Sequence, residues 1–196
     1  MIAAARRGSE RLRRLVEALL DLSALDAGRT PLVMADVDLV NVVTGAACAI
    51  EEHAAAKNIT LTETIPPRMP MQGDARRLAQ LVTVLLNNAI TYTPSGGAVT
   101  ITVTGTGTTA AVDVTDTGLG IPDHERPHVF DRFYRGAITT ELAIPGAGLG
   151  LAIAKLIVER HHGTITVSPN EARPGTHVHV ELPRDLHATG RGDRAT

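Results

Sequence analysis

The sequence predicts an α/β fold preceded by one long amphipathic helix, and three observations carry the prediction. Apolar residues recur at spacings of three and four over several long segments, the signature of helices that bury one face. Short runs rich in Val, Ile and Thr lie between those segments, the signature of strands. Gly- and Pro-containing breaks separate the two kinds, so helices and strands interleave along the chain.

In order, residues 2 to 28 place Leu12, Leu15, Leu19 and Leu22 at alternating three and four spacing, widened by Val16, Leu20 and Leu25, with Arg and Glu between them. This is a helix of coiled-coil type, and Gly28 after Asp26-Ala27 is its expected stop. A short strand is expected near Leu32 to Val37. Asp38 can cap a second helix running to about Lys57, with Val42, Val43, Ala46, Ile50 and His53 as candidates for its buried side. Ile59 to Ile65 alternates as a half-exposed strand, and Pro66, Pro67 and Pro70 make the next link a loop. Asp74 caps a third helix whose Leu78, Leu81, Val82, Leu85, Leu86 and Ala89 form an apolar face through to Tyr92. Thr93-Pro94-Ser95-Gly96-Gly97 breaks it. Ala98 to Thr104 and Thr109 to Asp116 form a hairpin, followed by a loop-rich stretch from Thr117 to Gly148. Leu149 to His162 is helical, Thr164 to Val167 and His177 to Leu182 are closing strands, and the polar Arg184 to Thr196 is expected to be disordered.

Composition narrows the function classes. The 196 residues, 43% hydrophobic and 20% charged, suffice for one domain plus an appendage and exclude disorder throughout. A formal charge of −2 provides no global basic field for nucleic acid, and the four aromatic residues, Tyr92, Phe130, Phe133 and Tyr134, are too few for base-stacking platforms. No apolar run approaches the ~18 residues of a membrane helix and the start lacks a signal-peptide pattern. The expected location is therefore cytoplasmic, with any membrane anchor carried by a longer parent chain. The single cysteine, Cys48, excludes a disulfide framework and a Cys-rich zinc site. Seventeen Arg against two Lys, Lys57 and Lys155, with abundant Ala, fit a GC-rich bacterial genome.

Three segments place polar or glycine residues where helix and strand patterning does not require them. Leu85-Leu86-Asn87-Asn88-Ala89 through Tyr92-Thr93-Pro94 sets two Asn, mediocre helix formers, in an apolar helix. Asn87 reads as a solvated helix position, whereas Asn88, one turn before Tyr92, can share a cleft with it. Asp116-Thr117-Gly118-Leu119-Gly120 puts a carboxylate acceptor at a strand end, beside backbone that a flat ligand can approach; alone, Asp-x-Gly-x-Gly is usually just a turn. Gly146-Ala147-Gly148-Leu149-Gly150-Leu151 runs into a helix whose free N–H groups and positive dipole end suit phosphate oxygens. Its G-x-G-x-G spacing, with no strand immediately before it, excludes a dinucleotide-binding fingerprint, and no P-loop occurs.

In this order the segments resemble the N, G1 and G2 boxes of the ATP-binding domain of two-component sensor histidine kinases, within the superfamily shared with gyrase, Hsp90 and MutL. Phe130-Asp131-Arg132-Phe133-Tyr134-Arg135 looks like their F box, and Leu19 to Gly28 looks like the end of the second helix of their dimerisation hairpin. The resemblance covers residues 9 to 183 and implies three regions. Residues 1–30 would be part of the dimerisation and phosphoacceptor hairpin. Residues 31–183 would be a two-layer α/β sandwich, a mixed sheet covered on one face by helices, and 184–196 a disordered tail.

The resemblance also implies residue roles. Asp116 accepts a hydrogen bond from the adenine amino group, Gly118 and Gly120 let backbone approach the ring, and Thr176 after Gly175 sits beside that aspartate. Asn88 holds Mg2+ through its amide oxygen, a hard ligand suited to that ion, and Tyr92 packs against base or sugar. Gly146, Gly148, Leu149 and Gly150 give the phosphate-side backbone, Gly136 to Pro145 forms a lid, Arg135 reaches the phosphates, and Phe130 and Phe133 anchor the lid. A turn aspartate, a plain strand Thr, a helix-end Tyr and a surface Arg are the competing readings of Asp116, Thr176, Tyr92 and Arg135.

The chain departs from the family at several positions. Val84 stands where relatives carry a second Asn and where the superfamily's ATP hydrolases carry a water-activating Glu, so hydrolysis is expected to be slow. Thr91 replaces a phosphate-contacting Lys, and His162 replaces the first Gly of a His-Gly-Gly ending, which should affect only the helix cap. No His precedes His53, and none lies in a His-Glu-Leu-Arg-type box. The implied protein is the ATP- and Mg2+-using catalytic part of a sensor histidine kinase. It would donate the γ-phosphate to a histidine from a missing segment or a partner chain, dimerise through its N-terminal helix and act upstream of a response regulator. A nucleotide-binding interaction module without transfer and an anti-sigma-type serine kinase are the alternatives.

Overall fold

The structure, a computed structural model, describes residues 31–142, 144 and 146–185 together with Val16, Leu19, Leu20 and Ser23. Those four are helical, with Val16, Leu19 and Leu20 exposed. The other positions of the expected N-terminal helix, its Gly28 stop and residues 186–196 lie outside the described residues. No helix among the described residues is long and apolar enough to cross a membrane.

Two aspartates start the second and third helices of the sequence reading, as expected. Asp38 closes strand β1 (Ala35–Asp38) and caps α1 (Leu39–Ala56), its Oδ1 accepting from Val40 N–H at 3.2 Å and from Met69 N–H at 2.9 Å. These bonds, led by that from Met69, hold its carboxyl below the ordinary range. Val43, Ala46 and Ile50 of α1 are buried and Val42 is half-buried, but His53 is exposed. The steps of four and three from Val43 through Ala47 and Ile50 reach Ala54, so the inward position belongs to Ala54 and not to His53. After β2 (Thr60–Thr64), Pro70–Gly73 forms strand β3, antiparallel to β1, where the prolines predict only loop. Pro70 is the first residue of that strand, a position where a missing N–H is tolerated.

Asp74 caps α2 (Ala75–Tyr92) through Arg77 N–H at 3.1 Å and ties down Val33 N–H at 2.9 Å. Strands β4 (Ala98–Gly105) and β5 (Thr109–Asp116) form the expected hairpin. The loop-rich stretch holds one 3-10 turn (Arg126–His128) and the short helix α3 (Ala137–Glu141). Helix α4 (Gly150–Arg160), β6 (Thr164–Pro169) and β7 (Thr176–Pro183) complete the described elements.

The main sheet has order β2-β4-β5-β7-β6, with β2 parallel to β4 and every other pair antiparallel. Strict alternation sorts its faces: Val99, Ile101, Val103, Ala110, Val112, Val114, Val178, Val180 and Leu182 are buried under α1, α2 and α4. The opposite face carries Thr100, Thr102, Asp113, Thr115, His177 and His179, and no helix among the described residues packs on it. The two-layer sandwich expected from the resemblance is thus present. Its core is aliphatic, with none of the four aromatic side chains in it. Arg184, placed by the sequence in the tail, joins the two sheets: its N–H donates to Thr108 O at 2.8 Å, its guanidinium to Pro70 O and Thr106 O, and its carbonyl accepts from Gln72 N–H.

At the end of α4, His162 takes the left-handed backbone (φ 59°) that a glycine would adopt more readily. The preceding His161 is buried; its Nε2 accepts from Asp74 N–H at 3.0 Å, so the proton sits on Nδ1 and donates to Ile157 O at 2.8 Å. Burial pushes its pKa below the ordinary 6.5. The folded state therefore binds fewer protons than the unfolded one. The contribution of His161 to stability is complete above about pH 6.5 and is lost as pH falls through the depressed folded value. Thermal melts should show Tm falling between about pH 7 and 5, and His161→Asn should flatten that slope while lowering stability at neutral pH by about 1–3 kcal/mol. An equally steep slope in the variant would assign the effect to other groups.

Candidate functional site

A cleft opens where β5 ends and β7 begins. Val114 and Asp116 of β5, Thr176 and Val178 of β7 and Val167 of β6 form its floor; Leu85, Asn88, Ala89 and Tyr92 of α2 form one wall, and parts of 119–139 the other. Asp116 is the last residue of β5 and is 5% exposed. Its Oδ1 accepts from Gly118 N–H at 2.8 Å and Thr176 N–H at 3.1 Å, and its own carbonyl accepts from the Asn170 side chain at 2.9 Å. Burial pushes the carboxyl upward, against the backbone bonds from Gly118 and Thr176 and a bond from the Thr176 side chain, and burial wins.

The glycines around Asp116 are required by contact. A Cβ on Gly118 would lie 2.5 Å from Tyr92 O, and one on Gly175, whose φ is 149°, would lie 1.9 Å from Asp116 O. Gly120 (φ 69°) packs across from Gly175, so the Asp-x-Gly-x-Gly turn and the Gly175-Thr176 pair close on each other. Residues distant in sequence thus converge on one carboxylate.

On the facing wall, Asn88 and Tyr92 both line the cleft, as their one-turn spacing predicts, while Asn87 is half-buried where the sequence reads a solvated position. The Asn88 amide makes no hydrogen bond to another described residue, and it sits 3.7 Å from where a Cβ of Gly150 would be. Val84 is 3.3 Å from that same point and packs against the core. Burial pushes the Tyr92 hydroxyl upward, partly opposed by the Arg135 guanidinium. The Tyr92 hydroxyl also lies 3.6 Å from where a Cβ of Gly146 would be. Gly146, Gly148, Leu149 and Gly150 are not among the residues lining the cleft; Leu149 is 1% exposed with its side chain in the core, so it has only backbone to offer a ligand.

The segment between these motifs forms the outer wall. Arg135 donates to Thr139 O at 3.3 Å and to Ile144 O, while its buried Nε has no partner among the described residues. Gly148 (φ 68°) lies against the backbone of Phe133 and Tyr134, with Phe133 N–H donating to Gly148 O at 2.8 Å. Phe133 itself has φ 63° and a ring that is 57% exposed, so its backbone and not its ring fastens this segment. Phe130 is half-buried with Lys155 Nζ 5.9 Å from its ring centre.

Three contributors escaped the sequence reading. Glu125 is buried and its Oε1 accepts from Ala137 N–H at 2.9 Å, fixing the start of α3 at the cleft's edge. Lys57 Nζ donates to Ile90 O and Thr91 O, both at 2.7 Å, and so caps the end of α2 beside Tyr92. Asn170 holds the Asp116 carbonyl. Each lies in a locally unremarkable stretch and gains its meaning only from a partner far along the chain. The arrangement offers a mostly apolar cleft with the buried Asp116 carboxylate at its floor, suited to an apolar ring bearing N–H donors. Toward the glycine run it offers a free amide oxygen and a guanidinium with an unused N–H, donors and acceptors suited to a metal-bound polyphosphate.

Comparison with known proteins agrees with this geometry. Residues 73–186 match the family described as histidine kinase-, DNA gyrase B- and HSP90-like ATPases. The chain is 35% identical over 188 residues to the sensor protein SphS of Synechococcus elongatus, covering 92% of this chain and 46% of that protein. It is 40% identical over 179 residues to the probable sensor histidine kinase TcrY of Mycobacterium tuberculosis, covering 90% and 36%. It therefore spans less than half the length of these curated relatives. Among solved structures, the mycobacterial sensor histidine kinase MprB superposes with TM-score 0.68 at 33% identity, over 77% of this chain and 97% of that one. Full-length ShkA superposes with TM-score 0.81 at 27% identity, over 93% and 38%. With the motifs in order, the cleft they build and relatives at this identity, the chain belongs to the family of histidine kinase-, DNA gyrase B- and HSP90-like ATPases, on its sensor histidine kinase branch.

Proposed function

We propose that this chain binds ATP with Mg2+ and donates the γ-phosphoryl group to a histidine carried by another segment or a partner chain, as the catalytic part of a sensor histidine kinase. The observation that carries this reading is Asp116, buried at the cleft floor, facing the unpartnered Asn88 amide across the slot. Support also comes from the ShkA relative, whose structure is a complex with AMPPNP. In this reading Asp116 accepts from the adenine amino group, with Gly118 and Gly120 leaving room for the ring, Thr176 holding Asp116 in place and Tyr92 flanking base or sugar. Asn88 is the residue placed to hold Mg2+. Gly146, Gly148 and Gly150 give flexible backbone on the phosphate side, with Leu149 anchoring it in the core. Arg135 exchanges its lid carbonyls for phosphate oxygens when nucleotide is bound. Bound Mg2+ would neutralise charge on the transferring group; the protein's own task is to position nucleotide and acceptor and exclude water.

The acceptor histidine comes from outside the resemblance to the ATP-binding domain, and the partners are a chain bearing the phosphoacceptor helix and a downstream response regulator. Dimerisation through the N-terminal helix fits the exposure of Val16, Leu19 and Leu20. Val84 and Thr91 favour a second reading, nucleotide binding without transfer, because neither supplies the polar group that relatives present at those positions.

Calorimetry with ATP and Mg2+ should show Asp116→Ala binding about ten- to hundredfold more weakly, the cost of one buried hydrogen bond to a charged group. Equal affinities would remove Asp116 from adenine recognition. Asn88→Ala should abolish the Mg2+-dependent part of ATP affinity and leave the Mg2+-free part unchanged. Steady-state phosphate release should be slow, since Val84 cannot act as a base; rapid turnover would move the protein toward the hydrolases. With radiolabelled ATP the chain alone should acquire no acid-labile, base-stable phosphate, whereas a second protein carrying a His-Glu-Leu-Arg-type helix should acquire it on mixing. Labelling of neither, with ATP binding intact, would select the second reading.

A further inference from the structure

We propose that Asp113, His177 and His179 form a binding site for a divalent transition-metal ion of the zinc class, on the sheet face opposite the nucleotide cleft. Asp113 lies in β5 and the two histidines in β7, adjacent inner strands of the main sheet, with Asp113 paired directly to His179 and Thr115 to His177. The two-residue period puts His177 and His179 on one face. That is the face on which no helix among the described residues packs, since Val112, Val114, Val178 and Val180 point into the core. Because each of these strands is hydrogen-bonded on both sides, the three side chains project from a backbone that cannot drift apart.

The donor atoms already converge. His177 Nε2 is 2.8 Å and His179 Nδ1 is 2.7 Å from the same oxygen, Asp113 Oδ1, and the three ligand atoms all lie within 4.8 Å of one another. A tetrahedral ion with bonds of about 2.0–2.1 Å needs ligand atoms roughly 3.3 Å apart. The carboxylate oxygen must therefore recede by about half an ångström from each nitrogen, and the two nitrogens, within 4.8 Å of each other, settle toward the same spacing, to exchange two hydrogen bonds for an ion. A cross-strand pair would need one histidine for one carboxylate oxygen; here two imidazoles aim at the same one. Ser168 Oγ is 3.3 Å from His177 Nδ1, the nitrogen left over when Nε2 ligates, and can accept its N–H to fix the tautomer. The side chains are 33%, 36% and 21% exposed for His177, His179 and Asp113, so an ion can enter from solvent yet sits partly desolvated. Two imidazoles and one carboxylate match the ligand preference of Zn2+ and leave the fourth position to water.

The test is titration of the untagged chain with Zn2+ by calorimetry, and with Co2+ by visible absorption as a probe of coordination. One ion should bind per chain, with Co2+ bands of four-coordinate geometry. His177→Gln and His179→Gln should each weaken Zn2+ by about tenfold or more, with unchanged circular dichroism and thermal melting reporting an intact fold. His128→Gln serves as the control: it removes an exposed His–Asp pair that has only two ligating groups and should leave binding unchanged. Zn2+ binding of equal strength in wild type and the His177→Gln/His179→Gln double variant, or no one-to-one binding at all, would overturn the proposal and leave a hydrogen-bonded polar cluster.

Discussion

One carboxylate kept away from water at the end of a central strand is the constraint on which the cleft depends. Burial alone would push Asp116 to its neutral form, where it is a poorer acceptor. Donors from Gly118 and Thr176 offset much of that cost, and both come from backbone N–H groups that must lie next to the β5 terminus. Their approach demands β7 beside β5, a left-handed Gly175 and no side chain at 118. The sheet order, two glycines and one aspartate are therefore a single requirement expressed at positions far apart in sequence.

Helix α2 transmits that requirement to the rest of the core. Its Leu78, Leu81, Val82, Leu85 and Leu86 are all but inaccessible, and their packing against the sheet fixes the rotation of the helix. That rotation in turn aims Asn88 and Tyr92 at the cleft, because they lie on the flank of the same helix. Lys57 at the end of α1 then closes the open carbonyls beside Tyr92, so the end of α2 cannot fray into the site. Val84 shows the same coupling from the other side. Its methyl-bearing side chain packs beside Gly150 and against the core, so this position of α2 gives the cleft no polar group.

The outer wall is built on different terms. The described residues between 125 and 148 contribute little to the aliphatic core and are fastened by polar contacts: Glu125 to the start of α3, Arg135 to two carbonyls and Phe133 to Gly148. Such contacts exchange readily for contacts to water or ligand, whereas core packing does not. The Nε of Arg135 is buried in this wall and has no partner among the described residues.

The sequence by itself determined the elements whose logic is local. Periodicity located α1, α2, α4 and the strands of the main sheet, Asp38 and Asp74 announced α1 and α2, and the segments around Asn88 and Asp116 lie at the cleft, because caps, pleats and glycine turns act within a few residues. Tertiary structure alone decided the features whose partners are distant. Strand β3 exists because β1 offers it an edge, against the local reading of its prolines. Phe133 turns outward because its backbone pairs with Gly148. Glu125, Lys57 and Asn170 carry no local signal, since their partners lie 12, 33 and 54 residues away. Hydrogen bonds of this kind are specified by the whole packing arrangement, and no window of sequence contains both ends of them.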